Sequence, residues 1–478
     1  MTRSIIRLSG VLAALLIAVI ANLTYIQAFQ ANEYRTAAGN ARAIMDEYSR
    51  ERGPILVGRE AVARSVRTKG KLKYLREYPQ GDLYAPATGF YSQVYGATGI
   101  EKFENPILSG LDDRLIFDRL QQLFAGRDPQ GGSVTLTLNA AAQQAAFSGL
   151  ADRNGAVAAL NPSTGELLAL VQSPSFDPNE LSSHNSKSIQ AQYDELINDP
   201  NDPLLNRPLA AADPPGSSFK VVVSAAALES GRFTPDTVIP GPAAFTLPGT
   251  TTKVRNASRA ACGPNDKVTL AEALVVSCNT AFAWLATQLG DDAIRAQADK
   301  FGFGHSFDVP MPAVAGRYPE NPDVAQTGLT GIGQFDVRAS ALNMAQVMAA
   351  IANQGLTMNP YLVRELGSPS LAVLDKTEPR AYQQAMDPVN ATTLMQMMVA
   401  VVEKGTGSSA AIPGIRVAGK TGTAENGPNE PTTAWFIAAA PADSPQVAVA
   451  VVLQKSGGSG NSSAGPIARS VMQAVLGR

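Results

Sequence analysis

Histidine is scarce in this chain of 478 residues, which contains only His184 and His305. A serine–histidine–aspartate triad needs a histidine beside its nucleophile, and zinc sites usually draw on several histidines or cysteines. His305 follows Gly302-Phe303-Gly304, which lacks the third glycine of a dinucleotide-binding loop. The sequence therefore argues against a histidine triad and a metal centre, and we expect no metal and no cofactor.

Charged residues are also few, and neither sign dominates. Lysine and arginine total 39 and aspartate and glutamate total 41, so the formal net charge is −2 and 17% of residues are charged. Nucleic-acid-binding domains carry a basic surplus, so nucleic acid is not expected as a partner. The hydrophobic content of 45% is ordinary for a globular protein, and the length allows two or three domains.

The longest apolar run lies at the N-terminus. Arg3 and Arg7 precede an uncharged, largely apolar stretch from Leu8 to Asn32. This length can span a bilayer, and arginines before it favour a cytoplasmic N-terminus. Residues 1–32 are therefore predicted to be a short cytoplasmic tail and a single transmembrane anchor, with the rest of the chain outside the cell membrane. Cleavage of a signal peptide after Ala21 is the alternative.

Cysteine is as rare as histidine, with Cys262 and Cys278 only. In an exported protein such a pair is a candidate disulfide. The bridge would close a loop of about 16 residues and contribute roughly 3 kcal/mol. It would also fix the turn Ser277-Cys278-Asn279. Two buried thiols are the alternative.

Sequence patterning divides the remainder of the chain in two. Residues 33–150 carry no recognisable catalytic chemistry and are predicted to be a smaller N-terminal module for spacing, dimerisation or partner contact. Residues 151–478 begin with a predicted β-hairpin around Asn161-Pro-Ser-Thr-Gly165 and end with three strand-like segments between 416 and 453. Helical patterns lie between, including one from Ser217 to about Ser230. Strands at both ends and helices in between predict an α+β fold with a sheet covered by helices.

Three short motifs stand in a fixed order in the second part. They are Ser217-Ser218-Phe219-Lys220, Ser277-Cys278-Asn279 and Lys420-Thr421-Gly422-Thr423. Ser-x-Asn occurs three times in the chain, but only Ser277 lies between the other two motifs. Each piece alone has an ordinary interpretation, as the start of a helix, a turn and a strand with a glycine. Their joint order argues for a shared chemical role.

The motifs supply the groups for acyl transfer without histidine. A serine hydroxyl needs a base, and the i,i+3 spacing puts Ser217 and Lys220 on one helix face. Burial and a second cation, Lys420, would lower the pKa of Lys220 and so allow it to act as that base. Ser277 can relay a proton between the two lysines and the leaving nitrogen.

The remaining motif residues suit a peptide substrate. The Asn279 amide can donate to and accept from a peptide. A strand holding residues 420–423 at a sheet edge would let the substrate pair as an added strand, with Gly422 allowing close backbone approach. Thr421, Thr423 and Lys420 suit a carboxylate. The backbone N–H groups of Ser217 and Thr423 are candidates for the oxyanion hole.

These motifs resemble those of penicillin-binding proteins, and the likeness covers roughly residues 150–475. It includes 155–171, 173–179, Asn206-Arg207 and Gly331-Ile-Gly-Gln334, whereas Thr432-Thr433 stands where many relatives carry histidine. The segments 46–53 and 89–101 resemble the shorter N-terminal half of the actinobacterial penicillin-binding protein A group. Because the chain has no room for a glycosyltransferase domain, it resembles the monofunctional class B type.

The resemblance implies a penicillin-binding, β-lactamase-like transpeptidase domain, with an antiparallel sheet covered by helices and an all-helical part. It implies D,D-transpeptidation of peptidoglycan stem peptides through a Ser217 acyl-enzyme, with release of D-alanine. The expected ligands are stem peptides on a lipid-linked precursor and β-lactams, and division or elongation complex proteins are candidate partners.

Two other functions stay open on the motifs. A D,D-carboxypeptidase or β-lactamase-like hydrolase would use the same residues, because the motifs serve acylation and not the second step. A β-lactam sensor or division scaffold would keep the fold without turnover, although no motif is broken. The N-terminal module and the anchor favour the transpeptidase.

Overall fold

The structure is a computed structural model that describes residues 2–27, 45, 47–70, 72–126, 128, 130–427 and 429–478. Its first helix is α1 (Thr2–Tyr25). Within it, Ile5–Tyr25 is long and apolar enough to cross a membrane and is not buried against the rest of the chain. This segment matches the expected anchor in position. Residues 28–32 of that prediction, and 33–44 of the predicted module, lie outside the described residues.

Short strands and helices follow α1 in the first part of the chain. They are β1 (Ile55–Val57), β2 (Glu60–Arg67), β3 (Tyr74–Glu77), α2 (Gly81–Thr88), β4 (Tyr91–Ser92), β5 (Gly96–Ala97), α3 (Gly99–Phe103), α4 (Asn105–Leu108), α5 (Ile116–Phe124), β6 (Ser133–Leu136) and α6 (Ala140–Leu150).

The second part of the chain is richer in long helices. Its elements are β7 (Gly155–Leu160), β8 (Leu167–Ser173), α7 (Pro178–Ser182), α8 (Ser186–Asn198), α9 (Arg207–Ala210), α10 (Lys220–Glu229), β9 (Val238–Pro240), β10 (Ala244–Thr246), β11 (Lys253–Arg255), β12 (Lys267–Thr269), α11 (Leu270–Val275), α12 (Asn279–Leu289), α13 (Asp291–Lys300), α14 (Val324–Thr330), α15 (Ala341–Ala352), β13 (Leu356–Met358), β14 (Val363–Gly367), β15 (Val373–Lys376), β16 (Ala381–Gln384), α16 (Pro388–Lys404), β17 (Ala418–Ala424), β18 (Thr433–Ala440), β19 (Val447–Leu453) and α17 (Gly465–Val475).

A five-stranded antiparallel sheet, ordered β17-β18-β19-β7-β8, forms the centre of the second part. Successive side chains of a strand point to opposite faces. In β18, Trp435 and Ile437 face the larger core beside α15, whereas Phe436 and Ala438 face the core beside α6 and α17. Because both faces are covered, β7 and β19 are apolar throughout, whereas the edge strand β17 carries the lysine and two threonines of the third motif. The predicted sheet covered by helices is confirmed.

The helical part carries the nucleophile helix. Helix α10 packs against α12, α13 and α16, and its residues from 220 to 228 are all buried. A helix that is buried all round is part of a core. The N-terminal end of α10 reaches the edge strand β17 through the turn that precedes it. The seam between the helical part and β17 is therefore where the three motifs can meet.

The first part of the chain forms a second sheet that borrows two strands. Its order is β15-β14-β6-β1-β2-β3, with β1 parallel to β6 and β14 antiparallel to both β6 and β15. Strands β14 and β15 belong by sequence to residues 151–478, which patterning alone did not predict. The predicted domain boundaries at residues 32 and 150 stay predictions.

Candidate active site

Ser217 lies in a 3₁₀ turn, Gly216–Phe219, that leads directly into α10. The sequence predicted an α-helix from Ser217, and that start is wrong by one turn. Ser218 Oγ donates to the Pro215 carbonyl at 2.6 Å, and such local side-chain bonds compete with regular helical bonding. The indole Nε1 of Trp435 donates to the Pro214 carbonyl at 2.9 Å. The turn is thus held to β18 from outside its own segment.

The nucleophile turn packs closely on the edge strand. Gly216 has a φ of 54°, and a Cβ there would lie 2.5 Å from the Thr423 carbonyl oxygen. A Cβ on Gly422 would lie 2.7 Å from the Pro215 carbonyl oxygen. Glycine is required at both positions by this close approach. The backbone that approaches Gly422 here is that of the nucleophile turn, whereas the sequence suggested a bound peptide.

The two lysines meet at Ser277. The Nζ of Lys220 donates to the Ser277 carbonyl oxygen at 2.7 Å, to Ser277 Oγ at 3.2 Å and to Asn279 Oδ1 at 2.7 Å. The Nζ of Lys420 donates to Ser277 Oγ at 2.9 Å and to the Thr421 carbonyl oxygen at 2.9 Å. Ser277 has a φ of 57°, a left-handed conformation. Ser277 Oγ, in the second motif, therefore bridges Lys220 of the first motif and Lys420 of the third.

The Ser217 hydroxyl stands apart from this network. Over the described residues, no hydrogen bond joins Ser217 Oγ to Lys220 or Ser277. Catalytic hydrogen bonds are often long before substrate binds. Ser217 is half-buried, whereas Lys220 and Lys420 are fully buried. Solvent thus reaches Ser217, and it also reaches the half-buried Ser277 and Asn279, whereas the two lysines are shielded.

Burial changes the titration of both lysines. Burial first, and then the charge of Lys420, holds the pKa of Lys220 well below its usual value. Burial lowers the pKa of Lys420 to about 7. All the oxygens bonded to the two ammonium groups are uncharged carbonyl, amide or hydroxyl oxygens. Without an anionic partner, a buried amine favours its neutral form, which can accept a proton.

The hydroxyls of the third motif are placed differently. Thr421 is buried and its Oγ1 lies 3.1 Å from Thr406 Oγ1, whereas Thr423 is exposed. Sequence reasoning missed Thr406, whose signal was its setting in Gly405-Thr406-Gly407. The backbone N–H of Thr406 also donates to the Val275 carbonyl at 3.2 Å. Thr406 therefore links β17 to α11, the helix that precedes Ser277.

Two backbone donors border the nucleophile. The carbonyls of Thr421 and Thr423 point away from β18, since the first accepts from Lys420 Nζ and the second abuts Gly216. In an antiparallel edge strand the N–H and C=O of one residue point the same way, so the Thr423 N–H also points off the sheet. The Ser217 N–H lies in the first turn of its helix, where donors have no intrahelical acceptor. Both predicted oxyanion donors thus border the same seam.

Cys262 and Cys278 form a disulfide with a Cα–Cα separation of 6.0 Å. Cys278 directly follows Ser277 and is the cap residue of α12. Its neighbour Asn279 uses both ends of its amide, because Nδ2 donates to the Arg255 carbonyl at 3.0 Å while Oδ1 accepts from Lys220. The second motif is therefore fixed covalently on one side and by hydrogen bonds on the other.

Comparison with known proteins identifies the class of this site. Residues 155–473 match the model of the penicillin-binding protein transpeptidase domain. Residues 52–134 match the penicillin-binding protein A dimerisation domain. The chain belongs to the penicillin-binding protein transpeptidase family.

Among its relatives, peptidoglycan D,D-transpeptidase PbpA of Mycolicibacterium smegmatis is 42% identical over 493 residues, covering 100% of this chain and 99% of the relative. The Mycobacterium tuberculosis protein of that name is 43% identical over 490 residues, with the same coverage. Penicillin-binding protein A of M. tuberculosis as a ceftriaxone acyl-enzyme superimposes with a TM-score of 0.88 at 43% identity, covering 90% of this chain and 100% of that one. Its penicillin G acyl-enzyme gives a TM-score of 0.86 at 42% identity with the same coverage.

Proposed function

We propose that this protein is a membrane-anchored peptidoglycan D,D-transpeptidase that works through a Ser217 acyl-enzyme and is acylated there by β-lactams. The observation that carries the proposal is the meeting of Lys220 and Lys420 at Ser277, beside the turn that presents Ser217. The names of the mycobacterial relatives, and their acyl-enzyme structures with ceftriaxone and penicillin G, support it.

Acylation begins with proton transfer to Lys220, whose neutral form is favoured by burial and by the charge of Lys420. Ser217 Oγ loses its proton to Lys220 Nζ and attacks the carbonyl carbon of the penultimate D-alanine. The oxyanion accepts from the backbone N–H groups of Ser217 and Thr423. Removing one such donor typically weakens the transition state by roughly 2.7–4 kcal/mol.

The tetrahedral intermediate then collapses. The amide C–N bond breaks, and the departing nitrogen of the last D-alanine receives a proton passed from Lys220 through Ser277 Oγ. Free D-alanine leaves and an ester joins Ser217 to the stem peptide. A β-lactam follows the same first steps, but its opened ring stays attached to the acyl group.

Substrate is held along β17. The stem peptide pairs with the outward-facing backbone of the edge strand, as in other strand-addition complexes. Its terminal carboxylate binds the hydroxyls of Thr421 and Thr423 near the Lys420 ammonium. The Asn279 amide, oriented by Lys220 and the Arg255 carbonyl, uses its remaining donor hydrogen for the peptide.

The second step distinguishes the transpeptidase from the alternatives. An amine from a neighbouring stem resolves the ester into a crosslink, whereas water would resolve it in a carboxypeptidase or β-lactamase-like hydrolase. With α1 as a single-pass anchor in the cell membrane, the transpeptidase domain lies on the extracytoplasmic side, where lipid-linked precursor is used. Division or elongation proteins are proposed as its partners there.

Fluorescent penicillin tests the nucleophile. Label should appear on the peptide that contains Ser217 and disappear in Ser217→Ala, with Ser218→Ala as a neighbouring control that keeps it. Persistent label in Ser217→Ala would overturn the assignment. Lipid-linked substrate with an acceptor amine then tests the second step: crosslinked product supports the transpeptidase, and D-alanine release without crosslinks supports the carboxypeptidase. A β-lactam sensor would be labelled but would make neither product.

A further inference from the structure

The apolar side chains of helix α5 (Ile116–Phe124) point to solvent and not to the core of the module. All its apolar side chains are exposed, with Phe117 at 81%, Leu123 at 72% and Phe124 at 86% exposure. Of its polar residues, Gln121 is exposed, and the others are half-buried: Asp118, Arg119 and Gln122. A surface helix normally turns its apolar stripe to the core, so α5 is built to meet an apolar environment outside the protein.

The exposed apolar side chains of α5 form one stripe. At 3.6 residues per turn, they span roughly 120° of the circumference; they are Ile116, Phe117, Leu120, Leu123 and Phe124. The opposite side is fastened to the module. Gln122 Oε1 accepts from the backbone N–H of Gln130 at 3.0 Å, and an Arg119 Nη1 hydrogen bonds to the Leu111 carbonyl at 3.4 Å. The stripe therefore faces outward from the module.

A basic hairpin lies on the same side of the module. The segment from Ala61 to Arg76 contains no acidic residue, and the described residues of its tip carry positive charges at Arg67, Lys69 and Lys73. Lys73 Nζ lies 3.1 Å from Asp128 Oδ1, four residues after Phe124. Glu51 and Asp128 offset part of this charge, and the tip keeps a positive surplus. An amphipathic helix beside a basic cluster is the pattern of proteins that bind anionic membranes.

Both features lie where the chain arrives from the anchor. Glu51, close to the start of the described module, accepts from Gln130 Nε2 at 2.8 Å, and its carbonyl accepts from the Gly131 N–H at 2.7 Å. Tyr25 and Glu47 are separated by 21 residues (47 − 25 − 1), which limits the gap to about 75 Å even when extended. The end of α5 and the hairpin are thus on the tethered side.

We propose that the stripe of α5 and the basic tip of the β2–β3 hairpin form a membrane-contact surface, which docks the N-terminal module on the bilayer that α1 spans. The apolar stripe enters the boundary between headgroups and acyl chains, and the lysines and arginine meet anionic phospholipid headgroups. The proposal rests on the proposed anchorage and concerns a second contact, independent of α1 and of catalysis.

Site-specific fluorescence in the full-length chain tests the docking. Leu123 and Val389, in the first turn of α16, are both 72% exposed, and the native cysteines are joined in a disulfide. Leu123→Cys and Val389→Cys are each labelled with an environment-sensitive dye and reconstituted into phosphatidylcholine vesicles with about one third phosphatidylglycerol. Some vesicles carry a lipid-borne quencher. We expect a blue shift and severalfold stronger quenching at position 123 than at position 389.

A second pair of variants tests the charge. Lys69→Glu, at the hairpin tip, should reduce the quenching at position 123 severalfold, as should replacing phosphatidylglycerol with phosphatidylcholine. Arg59→Glu makes the same charge change at the opposite end of β2 and should leave the quenching unchanged. Labelling by fluorescent penicillin, equal to that of the parent protein, confirms that each variant is folded.

The outcomes separate docking from anchorage. Protein that floats with vesicles but leaves position 123 unshifted and unquenched overturns the docking alone. A blue shift without lipid quenching means that protein, either a second copy or another partner, covers α5, and this also overturns it. Protein that fails to float overturns both anchorage and docking. Equal effects of Lys69→Glu and Arg59→Glu would remove the basic tip from the proposal.

Discussion

The two halves of the molecule both bury charged side chains, but in opposite ways. In the N-terminal module, Arg52 and Arg76 each place Nε 2.6 Å from a carboxylate oxygen of Glu101, and all three are almost fully buried. In the active site, Lys220 and Lys420 are equally buried, and their hydrogen-bonding oxygens are all uncharged. Similar burial thus produces different protonation states.

The module's cluster stays ionised. Burial alone would raise the pKa of Glu101, but the charges of Arg76 and Arg52 and their hydrogen bonds outweigh it and lower that pKa. Tyr78 Oη donates to Glu101 and Asn105 Oδ1 accepts from Arg52, whereas the buried Nη2 of Arg76 has no hydrogen-bond partner among the described residues. A buried carboxylate held this way is structural, because both its oxygens are already bonded and cannot bind a substrate.

In the active site, the two buried lysines have no anionic hydrogen-bond partner in the part of the chain that the structure describes, and this affects their pKa values. Both lysine pKa values fall, so neutral amine becomes available near neutral pH. A buried charged group that has an ion-pair partner stays charged and supports the fold. A buried lysine without an anionic partner loses its proton more easily and can act as a base. The proposed chemistry depends on keeping carboxylates away from Lys220.

Replacing Lys220 should have the largest effect of the three changes, and the effect should be on the rate of acylation. Lys220→Met keeps the length of the side chain and removes the amine, so acylation by penicillin should slow by about 10²–10⁴-fold. The free energy of unfolding should fall by at most about 2 kcal/mol, since only hydrogen bonds to Ser277 and Asn279 are lost. Stopped-flow acylation and urea unfolding measure the two effects. A severe loss of stability with a normal acylation rate would mean that Lys220 is structural and is not the base.

Replacing Glu101 should have its main effect on stability. Glu101→Gln leaves two buried guanidinium groups without a counter-ion, which typically destabilises a protein by about 3–5 kcal/mol. Urea unfolding checks this, and the acylation rate of the folded fraction should be unchanged. Glu77→Gln, which breaks the exposed pair with Arg64, is the control and should change stability by less than about 1 kcal/mol. Equal effects of the two variants would show that the buried cluster is not special.

The pH dependence of stability gives the smallest effect. Lys420 has a folded pKa of about 7 and an unfolded value near 10.4, so the unfolded chain binds more protons between these limits. Stability should therefore rise with pH from 7 to 9, by up to about 1.4 kcal/mol per pH unit from this group. Urea unfolding of Lys420→Met should lack that contribution. Lys300→Met, at an exposed lysine, should retain it; an unchanged slope in Lys420→Met would mean that folded Lys420 stays protonated.

Local sequence patterns were enough to predict much of the fold and the motif residues. The hairpin β7–β8 and strands β18 and β19 were predictable because turn residues and apolar runs mark them. Strand β17 was also predicted, although it carries the lysine and two threonines of the third motif. Residues 217, 220, 277 and 420 were found because motif order survives in the sequence. The fold class was predicted from patterning and the family resemblance, and the reaction from that resemblance. The comparisons confirm the fold class, the family and the reaction, while the roles of single residues stay predictions.

What escaped prediction depends on contacts between distant segments. Trp435 and Thr406 act by bonding to Pro214 and Thr421, and no spacing rule connects those positions. The Arg52–Glu101–Arg76 cluster joins three separate segments. The exposure of α5 was equally hidden, since an apolar stripe in a sequence normally predicts burial.

Strands β14 and β15, which the second part of the chain contributes to the six-stranded sheet, determine when that sheet can form. Strand β14 begins 227 residues after β6 ends (363 − 136), so β6 is synthesised long before the strand that pairs with its second edge exists. Until then its free edge can pair with another chain. We therefore expect the six-stranded sheet to form only after residues 363–376 have been synthesised. A fragment ending at residue 150 should expose that edge and self-associate, unlike the full chain.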